Sequence, residues 1–279
     1  GVSARLPAGA IDDPAEVYDQ LLPDLREHSF AHCALNQALH DLWGKQQGKP
    51  VYQLWGLDTS ACPVSNFTIG IDRVEKMVEK LREVPDWPIY KVKLGGPDDL
   101  EVIRRLREHT DAPFRVDANC GWTVDEAIEK SQTLAELGVE FIEQPLKADA
   151  WDDLKRVFHE SALPIMADES CITFPDVERC HGHFHGINIK LTKCGGLTPA
   201  KRMIERAREL NLKVMIGCMT ESSVGISAIA QLLPLLDFVD MDGACLLSAD
   251  VAQGVRVVRG VCHYPEVAGN GVTLLEGSP

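Results

Sequence analysis

Three features that would indicate particular classes of protein are missing from this sequence. It has no run of about 18 uncharged apolar residues, and its start lacks a basic region followed by an apolar stretch, so we expect neither a membrane span nor a secretory signal. Basic residues number 28 against 42 acidic ones, which gives a net charge of −14, and they form no cluster. We therefore expect no nucleic acid and no membrane surface as a partner.

Paired cysteines are also missing. The nine cysteines are scattered singly, their number is odd, and no two of them form a Cys-x-x-Cys pair. A disulfide framework or a zinc knuckle would need such pairs, so the pattern is typical of free thiols in a reducing compartment and predicts a cytoplasmic protein. The remaining composition, 45% hydrophobic and 25% charged, is that of an ordinary globular chain.

From residue 62 onward, short apolar runs alternate with amphipathic helical patterns. The runs that predict strands are Pro63–Gly70, Ile89–Leu94, Phe114–Asn119, Phe141–Gln144, Ile165–Glu169, Gly186–Leu191, Lys213–Gly217 and Phe238–Met241. Strands that alternate with helices indicate a parallel sheet with helical crossovers. Eight such units favour one closed barrel over two ordinary domains, because a barrel of this kind takes roughly 250 residues. We predict an α/β fold with a (β/α)8 barrel over residues 62–260.

Residues 1–61 have a different pattern, with two predicted helices at Asp13–His28 and Ser29–Lys45. A helical pair ahead of a barrel indicates part of an α+β capping domain. We expect much of the β portion of that domain to be missing from this sequence. The last segment, 261–279, is predicted to return toward the capping domain.

Charged residues lie at or near the ends of five successive predicted strands. They are Lys93, Asp117, Glu143, Asp168 and Lys190, at spacings of 24, 26, 25 and 22 residues. In a barrel these positions share the C-terminal rim, where active sites of this fold occur. Three carboxylates at one rim repel one another unless a cation lies between them, and hard oxygen ligands favour Mg²⁺, with Mn²⁺ as a substitute. We expect one such ion per subunit.

The lysines indicate acid/base chemistry. Lys91 and Lys93 are two residues apart in a strand, so both side chains face the barrel mouth, and Lys190 lies nearly across the ring. Two amines on opposite sides of a metal could remove a proton from one carbon and return it. Neighbouring positive charge, such as Lys91 beside Lys93, is expected to lower the lysine pKa toward the working pH.

Five short motifs carry a resemblance to a known family. They are Lys91-Val92-Lys93, Val116-Asp117-Ala118-Asn119, Glu143-Gln144-Pro145, Ala167-Asp168-Glu169-Ser170 and Asn188-Ile189-Lys190-Leu191. In order and spacing they resemble the enolase superfamily, in its muconate lactonizing enzyme subgroup. The resemblance implies a Mg²⁺ enzyme that abstracts the proton α to a carboxylate. It further implies Asp117, Glu143 and Asp168 as metal ligands, Lys93 and Lys190 as the acid/base pair, and Lys91 as a stabiliser of the enediolate.

The later strands narrow the choice within the subgroup. Asp240 and Asp242 lie on one face of the eighth strand, and since the metal already has its ligands, this pair would receive a cation of the substrate such as an α-ammonium group. Together with Thr68 on the first strand and Cys218 and Met219 after the seventh, these residues resemble the substrate pocket of dipeptide epimerases of the L-Ala-D/L-Glu type. The implied reaction is 1,1-proton transfer at the α-carbon of the dipeptide's C-terminal residue.

Other functions stay open at this point. N-acylamino acid racemases, o-succinylbenzoate synthases and cycloisomerases share the two lysines, but their substrates offer no cation to the aspartate pair. The mandelate racemase type uses a histidine at the end of the seventh strand, and this sequence has no histidine at that position. A non-catalytic barrel that binds or scaffolds is an alternative of another class. We also expect a homo-oligomer.

Overall fold

The computed structural model describes residue 6 and residues 9–276. Its centre is one sheet of eight parallel strands whose spatial order is their sequence order. The strands are β1 (Phe67–Ile69), β2 (Tyr90–Lys93), β3 (Phe114–Asp117), β4 (Val139–Glu143), β5 (Ile165–Ala167), β6 (Gly186–Ile189), β7 (Lys213–Gly217) and β8 (Phe238–Asp240). A parallel bridge between Ser65 and Val239 closes the ring. The predicted (β/α)8 barrel is confirmed.

Helices precede the barrel and surround it. They are α1 (Pro14–Leu25), α2 (Ser29–Gln47), α3 (Val51–Leu54), α4 (Val74–Glu83), α5 (Asp99–Arg107), α6 (Val124–Glu136), α7 (Trp151–Glu160), α8 (Phe174–Cys180), α9 (Leu191–Cys194), α10 (Leu197–Glu209) and α11 (Ser223–Leu232). Helix α6 begins at a capping box, which the spacing of Thr123 and Glu126 predicts and in which each side chain accepts a hydrogen bond from the other's backbone N–H. Among the described residues, no helix has both the length and the apolar character needed to cross a membrane.

Some predicted boundaries extend too far. The apolar pattern of Val224–Leu236 predicts one helix over that whole range, but the α-helix ends at Leu232 and continues as a 3-10 turn, Leu233–Leu235. Pro234 has no N–H to donate and its ring crowds the preceding turn, so the α-helix stops there. The first strand begins at Phe67 rather than Pro63, and before it Ser65 makes only an isolated bridge to Val239 while its N–H bonds to Gly260 O.

The inside of the barrel has an apolar floor toward the amino ends of the strands. Phe141, Met166 and Met215 are buried together there, with Phe238 packed against them. Side chains two residues further along the same strands also face the inside of the barrel. They lie nearer the carboxyl ends of the strands. Those positions hold Glu143, Asp168, Gly217 and Asp240. The floor therefore packs the barrel interior beneath the polar mouth.

The helices before the barrel pack on each other and on the loop after β6. An apolar cluster that includes Leu21 and Leu39 joins α1 to α2. From α2, the Asn36 side chain donates to Thr198 Oγ1 at 2.9 Å and accepts from Thr198 N–H at 3.0 Å. Gly196 has φ of 122°, and a Cβ there would lie 2.5 Å from Asn36 Oδ1, so this close approach requires glycine.

The C-terminal segment returns to the first helices. After β9 (Ala252–Gln253), β10 (Arg256–Val258) and β11 (Val261–His263), the last strand β12 (Thr273–Leu274) pairs antiparallel with β9. Asn270 Nδ2 donates to Gln37 O of α2 at 3.0 Å. The division into 1–61, 62–260 and 261–279 stays a prediction, and its ends at 1–5, 7–8 and 277–279 lie outside the described residues.

We expect the free energy of unfolding to depend on His40 between pH 6.5 and 4. The ring is buried in α2, its Nδ1 lies 2.8 Å from Asn36 O, and burial lowers its pKa to about 4. The unfolded chain takes up a proton below the ordinary pKa of 6.5 while the folded chain does not, so stability is lost as pH falls through this window. The loss should reach about 3 kcal/mol.

Urea unfolding of the wild type and of His40→Phe at pH 7 and pH 4.5 measures this contribution. The variant should lose less stability on acidification than the wild type, whereas His181→Gln, which changes an exposed ring, should behave like the wild type. Equal losses in wild type and His40→Phe would contradict the assignment.

Candidate active site

Three buried carboxylates lie at the carboxyl ends of neighbouring strands. Asp117 ends β3 and is the register partner of Glu143, which ends β4, and Asp168 directly follows β5. All three are 0% exposed. Gln144 fixes the third position, because its Oε1 accepts from the N–H of Asp168 at 3.0 Å. The structure thus brings the three predicted metal ligands to one rim.

A single buried ammonium group lies among several carboxylates of the site. Lys91 is 2% exposed, and its Nζ lies 3.2 Å from Asp117 Oδ2, 2.8 Å from Glu143 Oε2 and 3.1 Å from Asp240 Oδ2. Burial disfavours the charged amine, but the three carboxylates favour it more strongly, so the pKa of Lys91 is raised well above its ordinary value. Lys91 therefore connects the predicted metal ligands to the aspartate of β8.

The two predicted acid/base lysines approach the site from opposite sides of the ring. Lys93 Nζ, from β2, lies 3.0 Å from Asp117 Oδ2, and Lys190 Nζ, after β6, lies 2.5 Å from Asp168 Oδ2. Burial lowers the pKa of Lys190, but the carboxylates of Asp168 and Glu143 together raise it, and the net direction is upward. Lys91 does lower the pKa of Lys190, as expected for a neighbouring positive charge. The expected net fall of the lysine pKa is nevertheless wrong for Lys190 and Lys91, because the surrounding carboxylates outweigh the lowering effects.

Charge within the carboxylate group is uneven. Burial, together with the charge of Asp117, raises the pKa of Glu143 to about 7. Burial also acts on Asp117, but Lys91 and Lys93 more than offset it and lower its pKa to about 2. Repulsion between the neighbouring carboxylates thus shows mainly in the raised pKa of Glu143.

The carboxylates suit a hard divalent cation. They supply oxygen ligands only, on three neighbouring strands, in a mouth closed from below by the apolar floor. Glu143 Oε2 is buried and receives no hydrogen bond of acceptable angle within the described residues, although Lys91 Nζ lies 2.8 Å away. An acceptor left in this state favours an additional cation, so the residues present fit Mg²⁺.

A second acidic pair lies where β8 meets β1. Asp240 Oδ1 accepts from Asn66 Nδ2 at 2.8 Å and from Thr68 Oγ1 at 3.4 Å, and Asp242 Oδ2 accepts from Thr68 N–H at 2.6 Å. Burial and the charge of Asp240 raise the pKa of Asp242 to about 7. Without a bound cation, the two aspartates therefore carry less than two negative charges near neutral pH.

The predicted substrate residues line one cavity of about 450 Å³. It is lined by Thr68, Lys91, Lys93, Lys190, Cys218, Met219, Asp240 and Asp242, together with Asn119, Glu169, Lys193, Thr220, Gly243 and Leu246. The sulfur of Cys218 and one carboxylate oxygen each of Asp240 and Asp242 lie within 4.8 Å of one another. Burial and the charges of Asp240 and Asp242 raise the pKa of Cys218 well above its usual value, which favours the protonated thiol over a nucleophilic thiolate.

Several side chains at the site were not identified from the sequence. Lys193 Nζ lies 2.7 Å from Asp168 Oδ1, Asn188 Nδ2 donates to Glu143 Oε1 at 2.8 Å, and Asn66 bonds to Asp240. Two of them follow a simple rule, since Asn188 and Asn66 lie two residues before Lys190 and Thr68 and share their strand face. Lys193 lies in the short helix α9, where strand alternation gives no signal.

Comparison with known proteins identifies the family. Residues 72–278 match the family described as enolase C-terminal domain-like. An L-Ala-D/L-amino acid epimerase of Flavobacterium johnsoniae is 55% identical over 264 residues, which is 95% of this chain and 78% of that protein. The chain belongs to the enolase superfamily, and the resemblance of its five motifs is confirmed.

Solved structures show the same fold with different activities. The dipeptide epimerase of Cytophaga hutchinsonii, complexed with Mg and the dipeptide D-Ala-L-Val, has a TM-score of 0.89 at 30% identity, covering 95% of this chain and 76% of that chain. A muconate cycloisomerase variant has the same TM-score of 0.89 at 27% identity, covering 99% and 81%. Because the two scores are equal, the fold does not distinguish the activities, and the side chains of the site must.

We predict that Lys91→Met destabilises the folded protein by about 3–5 kcal/mol, because it leaves buried carboxylates without their shared cation. Urea unfolding measures the loss. Adding Mg²⁺ should restore part of it, since a divalent cation would again neutralise the carboxylates.

Lys130→Met is the matched control, because Lys130 pairs at 2.9 Å with the single carboxylate of Asp99 away from the mouth. Its loss should be smaller and should not respond to Mg²⁺. If both variants lost the same stability and neither responded to Mg²⁺, the central role of Lys91 would be refuted.

Proposed function

We propose that this protein is a Mg²⁺-dependent dipeptide epimerase. The observation that carries the proposal is that one cavity contains both the lysine pair, Lys93 and Lys190, and the acidic pair, Asp240 and Asp242. The first pair suits proton exchange at a carbon, and the second suits a cation of the substrate. A dipeptide has both an α-C–H bond beside a carboxylate and a free ammonium group.

The metal would be held by Asp117, Glu143 and Asp168. When bound, Mg²⁺ supplies a Lewis acid that stabilises the second negative charge that develops on the substrate carboxylate as the α-proton leaves. Lys91, as a buried ammonium group beside two of these residues, adds positive charge at the same place. The Mg complex of the Cytophaga hutchinsonii dipeptide epimerase supports this assignment.

Proton transfer would be shared by two lysines on opposite faces of the substrate. Strands β2 and β6 are four positions apart in a ring of eight, so Lys93 and Lys190 approach from opposite sides. One amine removes the α-proton of the C-terminal residue and the other, as an ammonium group, returns a proton to the far face. The product is the epimer, and the roles of the lysines reverse for the opposite substrate.

The substrate's amino terminus would bind at Asp240 and Asp242, with Thr68 beside them and Cys218 and Met219 lining the same cavity. An arriving ammonium group favours the ionised form of Asp242, so the pair would recognise the α-ammonium charge of a dipeptide, which N-acylation removes from an amino acid. This feature favours dipeptides over substrates of N-acylamino acid racemases, o-succinylbenzoate synthases and cycloisomerases. The 55% identity to an L-Ala-D/L-amino acid epimerase supports the same choice.

Two properties are proposed from the composition and the resemblance. The unpaired cysteines favour a cytoplasmic location. We also propose a homo-oligomer.

The exchange of α-protons tests the proposed function. Incubation of the Mg²⁺-loaded protein with L,L-dipeptides in D₂O should place deuterium on the α-carbon of the C-terminal residue, detected by mass spectrometry, and should form the epimer. Chelation of Mg²⁺ should stop both. No exchange with any member of a broad dipeptide library would sink the proposal and favour a non-catalytic barrel, whereas turnover of N-succinylated amino acids alone would favour the racemase alternative.

The two lysines should affect the two substrate epimers unequally. Lys93→Ala should block exchange from one epimer more than from the other, and Lys190→Ala should show the opposite preference, because each amine serves one face. We expect losses of about 10²–10⁴-fold in the blocked direction. Lys130→Ala, which changes a lysine that does not line the cavity, is the control. The same loss from both epimers in both variants would contradict a two-base reaction.

The acidic pair should determine affinity for the amino terminus. Asp242→Asn keeps the shape of the side chain but removes the charge that an ammonium group would meet, and we expect KM for dipeptides to rise about 10-fold or more while kcat changes little. Steady-state epimerisation kinetics measure both constants. An unchanged KM in Asp240→Asn and Asp242→Asn would show that the ammonium group binds elsewhere.

A further inference from the structure

A chain of buried polar groups connects the acidic pair to the lower part of the barrel. Asn66 is 0% exposed and donates from Nδ2 to Asp240 Oδ1 at 2.8 Å, while its Oδ1 accepts from Arg115 Nη1 at 3.3 Å. Arg115 is 3% exposed and lies on β3. Strands β1 and β2 separate β3 from β8, the strand that carries Asp240. No part of the proposed reaction described above uses either residue.

The guanidinium group of Arg115 is itself held in place from several directions. Its Nε donates to Glu140 Oε2 at 2.9 Å and its Nη1 also donates to Val239 O at 3.3 Å. The ring centres of Phe141 and Phe238 lie 5.4 Å and 5.0 Å from its central carbon. A planar fork held by a carboxylate, a carbonyl and two aromatic faces has little freedom to rotate.

This arrangement decides which way the Asn66 amide faces. Arg115 has donors only, so the oxygen of the amide must face the guanidinium group and the NH₂ must face Asp240. With Oδ1 of Asp240 taken by Asn66, its Oδ2 is directed to Lys91 Nζ at 3.1 Å. Burial alone would raise the pKa of Asp240, but Lys91 and the hydrogen bond from Asn66 hold it below the ordinary value.

We propose that Asn66 and Arg115 are positioning residues that hold Asp240 in the orientation needed to receive the substrate's ammonium group. The inference rests on the proposed function and adds to it the source of selectivity for a free amino terminus. Asn66 acts directly on Asp240, and Arg115 acts through Asn66. Asn66 and Arg115 are not among the described residues that line the cavity, so neither would contact a substrate bound in it.

Steady-state epimerisation of an L,L-dipeptide by the Mg²⁺-loaded full chain tests the pair. Asn66→Ser stays small and polar but cannot reach Asp240, and we expect KM to rise 10- to 100-fold, the effect of one lost hydrogen bond to a charged group, with kcat within threefold. Arg115→Met, which keeps the length of the side chain, should raise KM about 3- to 10-fold. Arg115→Lys, which keeps the charge but not the fork, should recover part of that loss.

The double variant separates positioning from general destabilisation. Since Arg115 acts through Asn66, Asn66→Ser/Arg115→Met should have the KM of Asn66→Ser alone, whereas independent structural damage would multiply. Asn270→Ser is the matched control, because Asn270 is a buried asparagine that bonds to Gln37 and Asp41 outside the barrel, and its KM should equal that of the wild type.

Wild-type exchange is measured first. Its absence would overturn the proposed function and with it this inference. If the wild type is active, an unchanged KM in Asn66→Ser, a fall confined to kcat, or the same KM rise in Asn270→Ser would overturn the positioning role alone. Should Asn66→Ser not fold, Arg115→Met and Arg115→Lys still decide the matter, because equal KM values in both and in the wild type contradict it.

Discussion

The charge of Lys91 is the constraint on which the site depends. Burying even one ionised carboxylate in a protein is costly unless it is paired, and this barrel buries several around one mouth. Lys91 Nζ lies within 3.2 Å of Asp117, Glu143 and Asp240, so one ammonium group compensates charge both among the predicted metal ligands and on β8. The two halves of the site are thereby coupled electrostatically.

The closed barrel makes this coupling geometrically available. Parallel strands in register bring Lys91 beside Arg115 and Asp117 beside Glu143, and alternation of side chains points all of them inward. The apolar floor beneath them, which includes Met166 and Phe141, keeps the dielectric low and the interactions strong. The same low dielectric explains why the pKa of Glu143 rises while that of Asp117 falls, since each depends on which charges lie nearest.

Much of this arrangement could be predicted from the sequence because it obeys short periods. The βα repeat predicted the barrel, and the two-residue strand period predicted that Lys91 and Lys93 face the same mouth. Contacts between residues far apart in sequence could not be found in this way. Neither the bond from Asn66 to Asp240 nor that from Lys193 to Asp168 follows from a local pattern. The directions of the lysine pKa shifts also depend on distances that only the folded chain defines.

The closure between β1 and β8 has a consequence for the order of folding. Asn66 and Asp240 are 174 positions apart, and Thr68 and Asp242 are equally separated, so the proposed ammonium subsite is made by the first and last strands of the barrel. Contacts of such long range carry the largest loop-closure cost and form late. During synthesis, a nascent chain would acquire its lysine and carboxylate rim strand by strand, while recognition of the substrate's amino terminus would have to wait for the final strand.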